Sequence, residues 1–125
     1  MPSIRTDKQI FPFFDSVRTP VSAAGTSEPF RNNGFASLTL EVSGASSIAL
    51  TVEGCVNIIK PNGEAMSDVE CSWTPLAIIN MSDFSVLSEI ANNGIYAIGI
   101  SGSARVRVVI SSIEGEAIIT GVAEA

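Results

Sequence analysis

Ala104-Arg105-Val106-Arg107-Val108-Val109-Ile110-Ser111 is the stretch whose reading decides the fold. Val106, Val108 and Ile110 fall on one phase of a two-residue period, and Arg105 and Arg107 fall on the other. That is the pattern of a strand with one face in a core and one in water. The same period runs through Phe35-Ala36-Ser37-Leu38-Thr39-Leu40-Glu41-Val42, with Ala36, Leu38, Leu40 and Val42 on one phase. It returns in Ser47-Ile48-Ala49-Leu50-Thr51-Val52-Glu53, with Ile48, Leu50 and Val52 inward. Turn signals separate these runs at Ser43-Gly44-Ala45-Ser46, Pro61-Asn62-Gly63, Asn92-Asn93-Gly94, Ser101-Gly102-Ser103 and Glu114-Gly115. Further strands are expected over 55–60, 69–73, 76–80, 95–100 and 116–122. The segment 82–91 is ambiguous: Phe84, Leu87 and Ala91 have helical spacing behind Ser82 or Asp83, while Val86, Ser88 and Ile90 share a strand phase. Extended chain with at most one helical turn is the preferred reading there. Seven or eight antiparallel strands follow, and the expected fold is an all-β antiparallel β-sandwich, jelly-roll-like in its connections.

Ahead of Asn32-Asn33-Gly34 the pattern changes. Residues 1–34 contain Pro2, Pro12, Pro20 and Pro29, little periodicity and a small-residue stretch from Val21 to Ser27. Yet Phe11, Phe13, Phe14 and Phe30 lie here, four of the six phenylalanines in the chain. A solvated linker does not carry such rings. The expectation is an extended N-terminal docking arm over 1–34 on a β-sandwich domain over 35–125, with those four phenylalanines as partner-binding anchors. The competing reading is that the rings close one end of the domain's own core. Charge divides at the same place, since the arm has four cations against three acids and the body three against ten. A weakly basic arm suits an acidic neighbour.

Composition narrows the function classes. The 125 residues suit one domain, and 46% hydrophobic against 16% charged residues excludes a disordered chain. A net charge of -6 makes nucleic acid a poor partner. With no histidine, Ser-His-Asp and Cys-His nucleophiles and His-ligated catalytic zinc are excluded. No apolar run is long enough to span a membrane as a helix, and the start of the sequence does not read as a signal peptide, so no membrane partner and a cytosolic site of synthesis are expected. Cys55 and Cys71 are expected as small buried hydrophobes, a disulfide being the alternative. Alternation groups Cys71 with Val69 and Trp73, and sets Cys55 opposite Val52 and Val56 unless Gly54 bulges.

Few residues offer chemistry. Glu64, Asp68 and Glu70 raise the question of paired catalytic acids or a calcium loop, but they flank a turn where acids are usually solvated, and no ordered ligand spacing appears. No catalytic residue, metal site or cofactor is expected. Arg105 and Arg107, two apart on one strand, leave the same face. They are candidates to clamp an anionic group on a partner, or to pair with Glu41, Glu53 or Glu116 on neighbouring strands. Trp73 reads as core rather than as a sugar platform.

Residues 72–122 carry a resemblance. The run Trp73-Thr74-Pro75-Leu76-Ala77-Ile78-Ile79-Asn80, then Ser82-Asp83, then 93–108 with its Gly-Ile-Tyr strand, Ser-Gly turn and Arg-Val-Arg strand, and a final apolar strand resembles small β-sandwich structural proteins of tailed bacteriophages. The resemblance implies a non-enzymatic virion component assembled in the bacterial host cytoplasm, of the head-decoration or auxiliary capsid type. Its partners would be other virion subunits and further copies of itself, reached through the N-terminal arm. A tail or baseplate subunit and a carbohydrate-binding β-sandwich module are the alternatives.

Overall fold

The computed structural model describes residues 8–12, by their backbone, and 20–125. Among these, nine strands form one antiparallel sheet: β1 (Lys8–Pro12), β2 (Gly25–Thr26), β3 (Phe30–Arg31), β4 (Ser37–Cys55), β5 (Thr74–Pro75), β6 (Ile78–Asn80), β7 (Val86–Leu87), β8 (Gly94–Gly99) and β9 (Arg105–Glu124). The order is β1-β9-β4-β8-β6-β7, with β2 and β3 also on β9 and β5 also on β4. The all-β, antiparallel class expected from the alternation is what the chain adopts.

The expected turn at Ser43–Ser46 and the one at Glu114-Gly115 are not strand ends. They lie opposite one another inside a single ladder, since β4 and β9 pair from Ser37↔Glu124 to Cys55↔Arg105, with Ala45 opposite Gly115. Three register shifts interrupt it, between Ser43 and Ala45, Ala45 and Ser47, and Ala49 and Leu50. Bulges of this kind bend a strand and change the phase of its side chains. Gly44 (φ 90°) and Gly115 (φ 80°) supply left-handed backbone at the bend. A Cβ on Gly44 would sit 2.8 Å from the Glu116 carbonyl oxygen, so no other residue fits. Asn93 satisfies the backbone freed there, its Oδ1 accepting from Ala45 N–H at 3.1 Å and its Nδ2 donating to Ala45 O at 2.8 Å.

The bend divides the ladder into two limbs. In the wide limb, β4 from 37 to 43 and β9 from 118 to 124 are flanked by β1 on one side and by β8, β6 and β7 on the other. In the narrow limb, β4 from 47 to 55 and β9 from 105 to 114 are flanked by β2, β3 and β5. The phase changes keep one face buried throughout: Leu38, Leu40 and Val42, then Ala45, then Ile48, Leu50 and Val52. Both limbs contribute to one core cluster, which Tyr96, Ile98, Val106, Val108, Ile110 and Ile119 complete. Tyr96 is buried with its hydroxyl donating to Asn92 O at 2.7 Å, and burial, with the charge of Asp83 second, pushes its pKa up.

The described part of the N-terminal segment lies on this body. β1 pairs with the end of β9, Val21 bridges Ala117, and β2 and β3 pair with β9. Ser27 N–H donates to Val108 O, and Val108 N–H donates to Ser27 Oγ. Asn32 then joins the segment to the body, donating to Phe35 O and Ile100 O and accepting from Phe35 N–H.

The strands expected over 55–60 and 69–73 do not form, β4 ending at Cys55 with only a bridge from Ile59 to Ala65 beyond it. Over 69–73 a single 3-10 turn, Asp68–Glu70, resets the alternation, so Val69 points to solvent at 95% exposure instead of joining Cys71 and Trp73. The segment 82–91 contains no helix, only the short β7 and a bridge from Ile90 to Leu50.

Candidate functional site: two outer faces of one sheet

The outer face of the narrow limb is occupied by side chains of the chain itself. Arg105 and Arg107 leave it side by side, as their spacing requires, opposite Cys55 and Glu53 on β4. Arg107 forms an ion pair with Glu53, its Nε donating at 2.8 Å, and its guanidinium lies 4.2 Å from the centre of the Trp73 ring. Arg105 has its side chain only 5% exposed, and its Nη1 donates to Asp68 Oδ1 at 3.0 Å and to Cys71 Sγ at 3.3 Å. Glu53 was among the partners expected for these arginines, whereas Asp68 was not.

The loop 56–73 closes over this face. A small hairpin at Lys60–Glu64 turns the chain, with Gly63 N–H donating to Lys60 O. The loop then returns through the 3-10 turn. Ser67 and Glu70 form a capping box, the Ser67 N–H and hydroxyl both donating to Glu70 Oε1, and Lys60 pairs with Glu70 Oε2 at 3.1 Å. Those Ser67 donors, followed by Lys60, hold the Glu70 carboxyl down at about 2. Trp73 Nε1 donates to Asp68 O at 2.8 Å, tying the turn to the tryptophan that Arg107 covers. Trp73 is half-buried in this stack rather than in the central core.

Cys55 keeps both of its expectations, burial and a place on the face opposite Val52. The ladder is regular from Leu50 to Cys55, so Gly54 does not bulge and Cys55 stays on the face opposite Val52. It is nonetheless buried, because the loop covers it, while Val56 is exposed. Burial first, and then the Cys71 thiol, push the Cys55 thiol up to about 11. Both cysteines are free. Gly54 itself faces the core, where an added Cβ would collide with Ser103.

Among the described residues, nothing covers the outer face of the wide limb. Ile95, Ile118 and Val122 stand on it with Thr39, Glu41 and Thr120, around an open groove of about 470 Å³. Exposed Ile79 and Met81 extend it towards the sheet edge. Beyond them the 80–85 turn presents Phe84, 70% exposed, at φ 59°. Such a conformation is strained for a bulky side chain. It is fixed from both sides, by Asn80 accepting from the Ser82 N–H and hydroxyl and by Asp83 accepting from those of Ser85. The two Ser85 donors lower the Asp83 pKa.

Of the six residues singled out as partner-binding, Arg105 and Arg107 are engaged within the chain. Phe30 is buried in its own core cluster, which is the competing reading of that ring. Phe11 lies in β1 opposite Gly121, its side chain outside the described residues, and Phe13 and Phe14 lie outside them altogether. Among the described residues no group of three or more acids and cysteines is placed to hold a metal ion. No described helix is long and apolar enough to cross a membrane. The wide-limb face was missed in the sequence, although Ala117-Ile118-Ile119-Thr120-Gly121-Val122-Ala123 is apolar on both phases and so announces a strand with two apolar faces.

No protein-family model matches the chain, and no curated protein sequence matches it. Two solved structures share its fold. One, described as the SPBc2 prophage-derived protein YomS, superposes with a TM-score of 0.76 at 23% identity, over 100% of this chain and 99% of that one. The other, described as the PBSX exported protein XepA, superposes with a TM-score of 0.76 at 19% identity, over 100% of this chain but 40% of that one. The bent nine-stranded sheet is thus an architecture found in prophage proteins, as a whole chain in one and as part of a longer chain in the other.

Proposed function

We propose that the chain is a non-enzymatic, phage-encoded structural protein that works by docking on other protein subunits, with the virion as its place and a capsid-decoration or auxiliary role as the specific form. The observation that carries the phage reading is the whole-length likeness to two prophage proteins. The docking reading is supported by the apolar outer face of the wide limb, which no described residue covers, since contiguous exposed apolar surface marks interaction sites. Against catalysis stand the absence of histidine from the sequence and the engagement of Asp68 and Glu70 in structural pairs. The N-terminal arm contributes through Phe11, Phe13 and Phe14, and self-association into a closed ring is the ordinary outcome for such a subunit.

The test is fractionation of an infected or induced culture on a density gradient, followed by detection of the protein in the particle band. Presence in purified particles, reduced by Phe13→Ala with Phe14→Ala in a body that still melts normally, is the expected result. Absence from particles would overturn the virion reading. A tail or baseplate location is distinguished by separating heads from tails. XepA is described as exported, so export without particle incorporation is the second reading, and its signature is protein in the medium but not in the particle band. The glycan-binding alternative has little to stand on, because Trp73 is stacked under Arg107 and Tyr96 is buried.

A further inference from the structure

We propose that Cys55 and Cys71 form a built disulfide site, a pair of thiols that an external disulfide converts into a covalent staple between the end of β4 and the loop that covers the narrow limb. The two residues come from opposite ends of the loop 56–70, and the fold brings them together under it. Cys55 stands directly opposite Arg105 in the ladder, and the Arg105 guanidinium reaches across to donate to Cys71 Sγ at 3.3 Å. Cys71 is held in place from its own side as well, its thiol donating to Ser67 O at 3.5 Å and its N–H to Asp68 O. Both thiols are thus gathered at one arginine, Cys55 across the ladder from it and Cys71 at its guanidinium, and the Cys71 thiol helps to push the Cys55 pKa up. Arg105–Asp68 and Trp73–Asp68 bonds fix the turn that carries Cys71, so this placement does not depend on a free loop. Two buried thiols held at the same guanidinium by fixed backbone segments are placed for the short Cα separation that a disulfide needs.

The exchange balances. A pocket of about 270 Å³, lined by Pro29, Arg31, Met66, Ser67, Asp68 and Arg105, opens beside the arginine that touches Cys71. Cys71 is the more accessible of the two thiols, at 8% exposure against 1%. Burial holds the Cys55 thiol protonated, which makes it the resolving rather than the attacking group. The Cys71 thiolate attacks one sulfur of a small-molecule disulfide, and the thiolate that leaves takes up a proton. Cys55 then attacks Cys71 Sγ in the mixed disulfide, giving up its own proton to the second departing thiolate. One S–S bond forms in the protein, one breaks in the reagent, and two electrons pass from the protein thiols to the two released thiols.

Incubation of the full chain with oxidised glutathione, followed by intact-mass measurement and peptide mapping without reductant, tests this. The expected result is a monomeric species lighter by two hydrogens, with a Cys55–Cys71 cross-linked peptide, melting about 5–10 °C above the same protein in reductant. The Cys55→Ala, Cys71→Ala double variant should melt at one temperature in both buffers. Two thiols that remain reduced in the folded protein, cross-links between chains in place of the internal one, or an oxidised form that melts no higher than the reduced one would each overturn the proposal. The measurement on the unaltered chain needs no variant, so a variant that fails to fold does not obscure it.

Discussion

The two limbs of the β4–β9 ladder are made by the same two strands, bury the same face and share one core, yet their outer faces have opposite fates. On the narrow limb, Arg105, Arg107, Glu53, Trp73 and Asp68 satisfy one another and the loop 56–73 covers them. On the wide limb, exposed Ile95 and half-buried Ile118 and Val122 line an open groove that no described residue covers. The two arginines that look most like binding groups in the sequence are therefore consumed internally, and the face that no described residue covers is the one with almost no charge. Charged pairs on a half-exposed face fix geometry more than they add stability, whereas an uncovered apolar sheet face leaves hydrophobic free energy to be gained by contact with another chain.

The largest effect should come from the core that joins the limbs. Leu40 in the wide limb and Leu50 in the narrow one are both fully buried in the same cluster. Leu40→Ala and Leu50→Ala should each lower stability by about 2–5 kcal/mol. Trp73 lies on the narrow limb, so its fluorescence measures how the limbs are coupled. Leu40→Ala should shift the tryptophan transition and the far-ultraviolet circular dichroism transition together. Separate transitions would break the comparison by making the limbs independent units.

The next effect belongs to the covered face. Arg105→Ala removes the donor to Asp68 and Cys71 and opens space beside two buried thiols. Asp68 is still 45% exposed, which limits the penalty for leaving it unpaired, so a loss of about 1–3 kcal/mol is expected by urea denaturation. Arg105→Lys should recover only part of it, because both bonds come from the terminal Nη1 and the shorter lysine side chain ends before that position. No change in the urea midpoint would show that the loop 56–73 is held without the arginine.

How much of this was legible in the sequence follows from what alternation can encode. Period two identified Leu38, Leu40, Val42, Ile48, Leu50, Val52, Val106, Val108 and Ile110 as the buried phase, and these form the core. It misplaced the ends of strands at Gly44 and Gly115, because a glycine in left-handed backbone serves a bulge inside a ladder as well as a turn between two. It misjudged Val69, since one 3-10 turn rotates the chain out of phase. Neither the cover over Cys55 nor the Arg105–Asp68 bond is a local property. Both depend on a loop closing between residues 37 positions apart, which no window of neighbours reports.

The acid response sharpens the narrow-limb side. The Glu70 carboxyl sits well below its ordinary value because Ser67 and Lys60 favour its charged form. A depressed carboxyl contributes stability that is fully present above its unfolded value of 4.5 and is lost as pH falls towards about 2. Between those limits Glu70→Gln should flatten the fall of melting temperature with acid, because the variant melts lower at pH 7, where the contribution is present, and the two proteins converge towards pH 2, where it is gone. Since the side chain is exposed, the change is expected to be small. An identical slope in both proteins would show that the capping box does not persist in solution.

The smallest stability effect is also the most informative about function. Ile95 lies on the wide-limb face at 47% exposure, with its backbone paired to Glu41 on the central strand. Ile95→Ser removes apolar area already half in water, so the melting temperature should stay within the range of ordinary surface substitutions, about 0.5 kcal/mol. If the wide-limb face binds a protein subunit, the same change should lower incorporation into particles, or self-association seen by sedimentation, far more than it lowers stability, because interface energy concentrates in a few buried apolar contacts. Arg107→Ala is the matched control on the covered face: it disturbs the Glu53 pair and the Trp73 stack and costs stability, but should leave association in place. The opposite pattern, with association lost on changing Arg107 and retained on changing Ile95, would return the binding role to the arginine strand and make the wide-limb face only a tolerated consequence of the bent sheet.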